Sequence, residues 1–236
     1  MDFAGAYSAG NLAYLFQGLL MTLFVAFLAI ILSFLIGGFL GIIRYAKIPV
    51  ASKVTAIAVE TIRNLPLLLI IFFIHLALPE FNIRLGIIGS AITGLTIFEA
   101  AMLSEIIRSG LNSIEKGQIE AARSSGMTWV QTMQHIILPQ ALRRMVPPIV
   151  SQFISLLKDT SLATVIMLPE LMHNGQGVYA KNVNYVIPIY LLLALIYFVI
   201  NFSLSLVAKR LETRERKNTK TTGKVLPAKD KAAMQG

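Results

Sequence analysis

The chain has 236 residues, 56% of them hydrophobic and 14% charged, and its mean hydropathy is +0.70. A soluble domain carries about 25% charged residues, whereas about 20 mostly apolar residues cross the hydrocarbon core of a bilayer, so the composition excludes an ordinary water-soluble enzyme and points to a polytopic, all-α membrane protein. The absence of cysteine excludes disulfides, iron–sulfur clusters and thiolate zinc sites; the net charge of +9 gathers at the end, where nine basic and three acidic residues occur from Lys209 onward.

In chain order, no charge falls between Asp2 and Arg44, and the pattern predicts helix one over about residues 12–42. Gly37, Gly38 and Gly41 near its end permit close helix packing. No Lys or Arg precedes Arg44, so the charged start of a cleavable signal is missing and this segment reads as a retained span. Helix two is expected over about residues 53–78, with Glu60, Arg63 and Pro66 inside it, and Pro79 and Asn82 mark a short loop. Helix three, about residues 86–111, carries Glu99, Glu105 and Arg108. A polar stretch, about residues 112–139, follows. Helix four starts near Pro139, a residue suited to a first helical turn, and reaches at least Leu157. Residues 161–183 fit an external helix, a re-entrant segment or a sixth partial span. Helix five covers about residues 185–208.

The loops set an orientation. Arg44, Lys47 and Lys53 lie between helices one and two, and Lys116, Arg123, Arg143 and Arg144 lie between three and four. The intervening connections hold only Arg84 and Lys181. The positive-inside rule then places the N-terminus outside and the C-terminus in the cytoplasm, with five spans. Residues 1–210 form the transmembrane domain, and residues 211–236 form a basic cytoplasmic tail that suits contact with anionic lipid headgroups. No aromatic residues interleave with the basic ones as in single-stranded nucleic-acid binders, so no nucleic-acid partner is expected. No internal repeat of the kind many secondary transporters show is found.

The polar stretch contains Glu120-Ala121-Ala122-Arg123-Ser124-Ser125-Gly126 and ends on Ile136-Ile137-Leu138-Pro139. A short soluble helix between membrane spans has a purpose if something outside the membrane grips it. Gly117 or Asn112 can cap it, with Glu120 or Glu115 three residues later reaching back. Ala121 and Ala122 are strong helix formers without bulk, which lets another surface close on the backbone. Gly126 suits the left-handed conformation that ends a helix.

The spacing Glu-Ala-Ala, three residues, Gly, nine residues, Ile-x-Leu-Pro resembles the coupling motif of ATP-binding-cassette importer permeases, and the chain is similar to their polar-amino-acid branch over roughly residues 13–214. The resemblance extends to Arg63-Asn64-Leu65-Pro66-Leu67-Leu68, Glu105-Ile106-Ile107-Arg108-Ser109-Gly110-Leu111-Asn112, Leu138-Pro139-Gln140-Ala141-Leu142-Arg143 and Leu156-Leu157-Lys158-Asp159-Thr160-Ser161-Leu162. Ala101-Met102, ahead of Ser104-Glu105, departs from the Gly-Ala-Tyr and Ala-Glu often found in the family, which bears on substrate detail. The resemblance implies a type I importer fold in a bacterial-type plasma (inner) membrane. It implies a second permease chain, copy or paralogue, and a cytoplasmic ATPase dimer gripping Glu120, Ala121, Ala122 and Gly126. It further implies an extracytoplasmic binding protein that delivers glutamine, glutamate or a basic amino acid. The sequence has no G-x4-G-K-[ST] phosphate loop, so the chain is not expected to be an enzyme or to hold a cofactor; ATP and magnesium belong to the partner. A passive facilitator would not need a docking helix, and a scaffold would not need charges inside the membrane.

Those charges are functional candidates by default. Glu60 and Arg63, like Glu105 and Arg108, are three apart and can share a helix face; each pair either neutralises itself locally or makes a gating or assembly contact. Glu99 has no basic neighbour at helical spacing and is expected to line the translocation cavity. Lys158 lies fourteen residues after Arg144, about 21 Å along a helix. Thr160 or Ser161 can cap a second half-helix to Met167, whose N–H groups with Lys158 would suit an α-carboxylate. Alternatively, Lys158 and Asp159 form a self-neutralising pair. His75, His135 and His173 fall in separate segments without ligand spacing, so no metal site is expected.

Overall fold

A computed structural model describes residues 1–222, and all of its regular structure among them is helical. A short α1 (Phe3–Ala6), capped by Asp2 accepting from the Gly5 N–H at 2.9 Å, leads into α2 (Ala9–Tyr45). At 1.5 Å per residue α2 is about 55 Å long, more than the roughly 30 Å apolar core of a bilayer, so it tilts or projects. Its buried stripe is made of small residues, among them Ala26, Ala29, Ser33, Gly37 and Gly41. This stripe lies along α5 (Gly86–Asn112), the most extensive helix pairing in the bundle. A Cβ at Gly37 would sit 2.7 Å from the Ala100 carbonyl oxygen, and one at Gly41 would sit 2.9 Å from that of Ser104. The opposite face of α2 presents large apolar side chains such as Phe27, Leu35 and Phe39, the last 65% exposed. Such a continuous apolar face suits lipid rather than water.

The second predicted helix is two helices. α3 (Ala51–Arg63) stops at Asn64, whose side-chain amide donates to the Glu60 carbonyl at 2.8 Å. α4 (Leu67–Phe72) then leaves at 104° and continues through a π turn, Phe73–Ala77, and a 3-10 turn, Leu78–Phe81. Pro66 accounts for the break: it has no N–H to give and pushes Leu65 away from the α conformation. The turn between α2 and α3 is tight, with Lys47 and Val50 at φ of 51° and 64°; positive φ is rare for a β-branched residue such as valine.

Helix four begins ten residues earlier than Pro139. After α6 (Lys116–Ser124), α7 (Trp129–Thr132) runs through a π turn, Met133–Ile137, into α8 (Leu138–Asp159) and a 3-10 turn, Thr160–Ile166, which together form one 38-residue helix. Pro139 sits in the first turn of α8, and Pro147 and Pro148 lie inside it. The segment whose structure the sequence left open contains α9 (Leu171–Tyr179), nine residues and too short to cross a bilayer. It packs against α2 and against α10 (Val186–Thr222), which runs past the expected end near residue 208. Residues 211–222 of the predicted tail thus continue α10; residues 223–236 lie outside the described residues. The helices α2, α5, the Trp129–Ile166 helix and Val183–Leu206 are each long and apolar enough to cross a membrane, and the bent α3–α4 pair is so only when its two arms are taken together, which gives four to five candidate spans among the described residues.

Three buried clusters hold the bundle. One joins α2, α4, α5 and the end of the Trp129–Ile166 helix through Ala29, Ile71, Leu95, Leu156 and Ile166. A second joins α1, α2, α9 and α10 through Leu15, Leu171, Ile189 and Leu193. A third seats the loop before α6 against α5 and α8 through Leu111, Ile114, Ile137 and Ala141. Because the α2–α5 contact leaves no volume at Gly37, Gly37→Val is expected to destabilise the protein by about 1–3 kcal/mol. Thermal unfolding of the detergent-solubilised protein should show a lower midpoint than Gly38→Val, since a Cβ at Gly38 meets nothing nearer than 4.0 Å.

Candidate functional site

The polar segment forms a helix held in place by its ends. α6 has Glu115 at its N-cap without a side-chain bond, so neither Gly117 nor Asn112 caps it and no box closes there. Its C-terminal end is closed instead: the Met127 N–H reaches the Ala122 carbonyl at 3.2 Å and the Gly126 N–H reaches Arg123 at 3.1 Å, with Gly126 at φ +85°. These paired bonds form a Schellman motif, the role expected of Gly126. Thr128 then opens the next helix with a capping box to Gln131, with bonds of 2.8 and 3.2 Å. The Thr-x-x-Gln signal was present in the sequence, but it marks an earlier helix start than Pro139.

Glu120, Ala121 and Gly126 are exposed, whereas Ala122 is buried against the body of the protein. The small side chain at Ala122 therefore serves internal packing, and the face open to another surface is built on Glu120, Ala121 and the Gly126 turn. Beside that turn is a cleft of about 280 Å³ lined by Ser125, Gly126, Met127, Gln131 and His135. Two braces join this region to α8: the Gln140 amide donates to the Gln118 side chain at 2.8 Å, and Arg144 donates to the Ser113 carbonyl.

At the neighbouring end of the bundle the charged pairs form one cluster. Arg108 donates to both oxygens of Glu105, at 2.5 and 3.2 Å. Arg44, which the sequence reading assigned only to a loop, stands on the last turn of α2 and meets Glu105 at 2.9 Å. Arg63 lies 3.8 Å from Glu105 and 3.7 Å from Glu60. Glu105 thus joins α2, α3 and α5, which goes beyond local neutralisation within one helix. Arg44 is 8% exposed, and its Nε and Nη1 have no partner among the described residues.

Deeper in the bundle Glu99 is fully buried and finds its partner on α8, where the Gln152 amide donates to Oε2 at 3.1 Å; Oε1 has no partner among the described residues. Within this chain Glu99 is enclosed by the packing of its neighbours. Lys158 is exposed and Asp159 half-buried, and no ion pair within 4.0 Å joins them among the described residues. The second half-helix is not formed. α8 passes into Thr160–Ile166 without a break, and the Thr160 and Ser161 hydroxyls donate to the carbonyls of Leu157 and Lys158, each at 2.7 Å. Because the helix continues through both residues, there is no free N-terminus for either hydroxyl to cap, and the expected anion site is absent there. The histidines stay apart: His75 pairs with Ser90 at 3.2 Å and His135 with the Gln131 carbonyl at 2.9 Å.

Residues 33–217 match the family described as binding-protein-dependent transport system inner membrane component. The chain is 65% identical over 217 residues to the probable glutamine ABC transporter permease protein GlnP of Bacillus subtilis, covering 91% of this chain and 100% of that protein. It is 41% identical over 188 residues to the L-cystine transport system permease protein TcyB of the same organism, covering 78% and 80% respectively. Among solved structures, the crystal structure of an amino acid ABC transporter with histidines superimposes with a TM-score of 0.84 at 31% identity, over 91% of this chain and 99% of that one.

The asymmetry of the charge cluster makes a differential prediction. Glu105→Gln leaves three guanidinium groups facing one another in a half-buried site, at an expected cost of about 2–3 kcal/mol after allowing for partial exposure. Arg44→Met leaves Glu105 with two cations and should cost less than about 1 kcal/mol. Monodisperse protein surviving a heating step, measured by size-exclusion chromatography, should rank wild type, Arg44→Met, Glu105→Gln in decreasing order.

Proposed function

This chain belongs to the family of binding-protein-dependent transport system inner membrane components, and on that premise we propose that it is the permease subunit of an importer that carries a polar amino acid, glutamine first among the candidates, inward across the plasma membrane. Support for glutamine comes from the 65% identity to the probable glutamine permease; glutamate and the basic amino acids remain in the substrate class. ATP is hydrolysed, with magnesium, on a separate cytoplasmic ATPase dimer. A second permease, copy or paralogue, completes the pathway, and an extracytoplasmic binding protein delivers the substrate. The N-terminus faces outside and the basic C-terminal tail meets the cytoplasmic leaflet.

The observation that carries this reading is the construction of residues 112–139. The exposed face of Glu120, Ala121 and Gly126 offers a grip, the Gln118–Gln140 brace transmits a push on α6 into α8, and the Ser113–Arg144 bond ties the end of α5 to the same helix. α8 belongs to a helix that runs unbroken to Ile166 and carries Lys158 and Asp159. Movement of the ATPase pair is thereby converted into rigid-body movement of a pathway helix. The cluster of Glu60, Arg63, Glu105 and Arg108, joined by Arg44, ties α2, α3 and α5 together and serves as the gating and assembly contact. Glu99, Lys158, Asp159 and Ser161 mark the substrate pathway: Lys158 supplies an exposed cation for the α-carboxylate, and Ser161 supports it through the hydroxyl bond to the Lys158 carbonyl.

Purification of the tagged chain from mild-detergent membranes should recover an ATPase that carries a phosphate loop, identified by mass spectrometry. Ala121→Asp, which puts bulk and charge on the exposed face of α6, should lose it while the permease stays folded. Recovery of no ATPase, together with amino-acid flux by the chain alone in vesicles, would replace the pump with a facilitator. Lys158→Met is expected to lower uptake at least about tenfold, the loss of one charge-assisted hydrogen bond, with the ATPase still bound. Wild-type uptake in that variant would remove Lys158 from the pathway.

A further inference from the structure

Between the Trp129–Ile166 helix and α10 lies a buried carboxylate to which the transport reading gives no task. Glu170 is 0% exposed. Its Oε1 accepts the His173 N–H at 2.7 Å, and its Oε2 accepts the Met172 N–H at 2.9 Å, the Tyr197 hydroxyl at 3.2 Å and the Thr22 hydroxyl at 3.4 Å. Every partner donates, a pattern that the two acceptor oxygens of a carboxylate satisfy and an amide does not. Thr22 in turn accepts the Leu171 N–H at 3.1 Å. One side chain thus binds α2 through Thr22, the first turn of α9 through two backbone N–H groups, and α10 through Tyr197. The sequence reading passed over all three residues, since nothing in their spacing links positions 22, 170 and 197.

The packing around this joint leaves no room for sliding. A Cβ on Gly18 of α2 would stand 2.9 Å from the Glu170 carbonyl oxygen, and one on Gly175 of α9 would stand 2.6 Å from Leu193 of α10. The 3-10 turn Thr160–Ile166 is tied to the same block, where the Thr164 hydroxyl donates to Gln176 at 3.4 Å. The Trp129–Ile166 helix is therefore held at both ends, by the α6 region at its start and by the Glu170 joint just past its finish. A rigid rod pushed at one end and free at the other translates; pinned at the far end, it tilts.

We propose that Glu170 is a positioning residue for transport: it pins the start of α9 to α2 and α10, and α9, bonded through Gln176 to Thr164, holds the far end of the Trp129–Ile166 helix, so that displacement of α6 becomes a tilt that carries Lys158 and Asp159. This inference rests on the importer reading. Loosening the pin lets the rod drift with its push, so ATP is consumed with little substrate moved. Glu170, Thr22 and Tyr197 act through the helix and touch no substrate.

The test is the number of amino acids imported per ATP hydrolysed by the complete transporter in proteoliposomes, with labelled glutamine, the binding protein outside and ATP inside. Glu170→Ala is expected to lower that ratio about tenfold, and Thr22→Val and Tyr197→Phe, which each remove one donor, about threefold. Glu170→Gln, with one acceptor oxygen in place of two, should fall between them. The ATPase should still co-purify, and hydrolysis should stay within about twofold of wild type, because α6 is untouched. An unchanged ratio in Glu170→Ala would overturn the proposal. So would parallel loss of import and hydrolysis across all four variants, which marks damage to the fold and no more. Failure of the wild-type complex to import any amino acid under ATP would overturn the importer reading itself, and this inference with it, before any variant is compared.

Discussion

At Gly37 and Gly41 the backbone of α2 lies so near α5 that a single methyl group at either position would meet a carbonyl oxygen of the neighbouring helix within 3.0 Å. Between apolar helices in lipid there is little hydrophobic gain from association, and close packing through small residues supplies the attraction instead. That approach sets the positions of the other elements. It brings Arg44 to Glu105, closes the cluster of Ala29, Leu95 and Leu156, and leaves the bulky face of α2 turned outward. α8 then packs on the far side of α5, where a Cβ at Gly110 would overlap Met145.

The ionisable groups divide by depth and by what surrounds them. Glu105 collects arginines from three helices near the end of the bundle where α6 stands, an arrangement that leaves Arg44 with unused donors. Glu99 has one amide for company, and Glu170 has four donors and no cation within salt-bridge distance among the described residues. Such unequal satisfaction is physically informative. A buried carboxyl group with both oxygens engaged rigidifies what it touches, whereas one with a free oxygen keeps a place for another partner.

What the sequence revealed and what it concealed follow from the range of each interaction. Span number, the ends of α5 and the left-handed Gly126 are written in local composition and single residues, and all were legible. The break at Pro66 was equally local, yet the apolar run that follows it from Leu67 carried the expected helix across the break. The start of the helix at Trp129 was signalled by Thr128 and Gln131, but Pro139 offered a competing and more familiar cue. Thr160 and Ser161 are good caps in isolation, and the continuity of α8 turned their hydroxyls to the opposite role. The partners Arg44 and Glu105, Gln152 and Glu99, and Thr22 and Glu170 are far apart in the chain; no periodicity connects them, and only the packed bundle does. Membership of the family came through because its motifs are local, while the wiring between them is tertiary.

The small-residue stripe of α2 also has a consequence for biogenesis. α2 enters the membrane before α5, with its partner face still uncovered, and α5 leaves the ribosome only after α3 and α4 have been made. At about 5–20 residues per second that interval lasts several seconds. During it Ser33, Gly37 and Gly41 face lipid or whatever protein escorts the nascent chain. α2 therefore has to be apolar enough to remain inserted without α5, and the run from Ala9 to Ile43 without one charged residue meets that demand independently of anything the finished transporter requires.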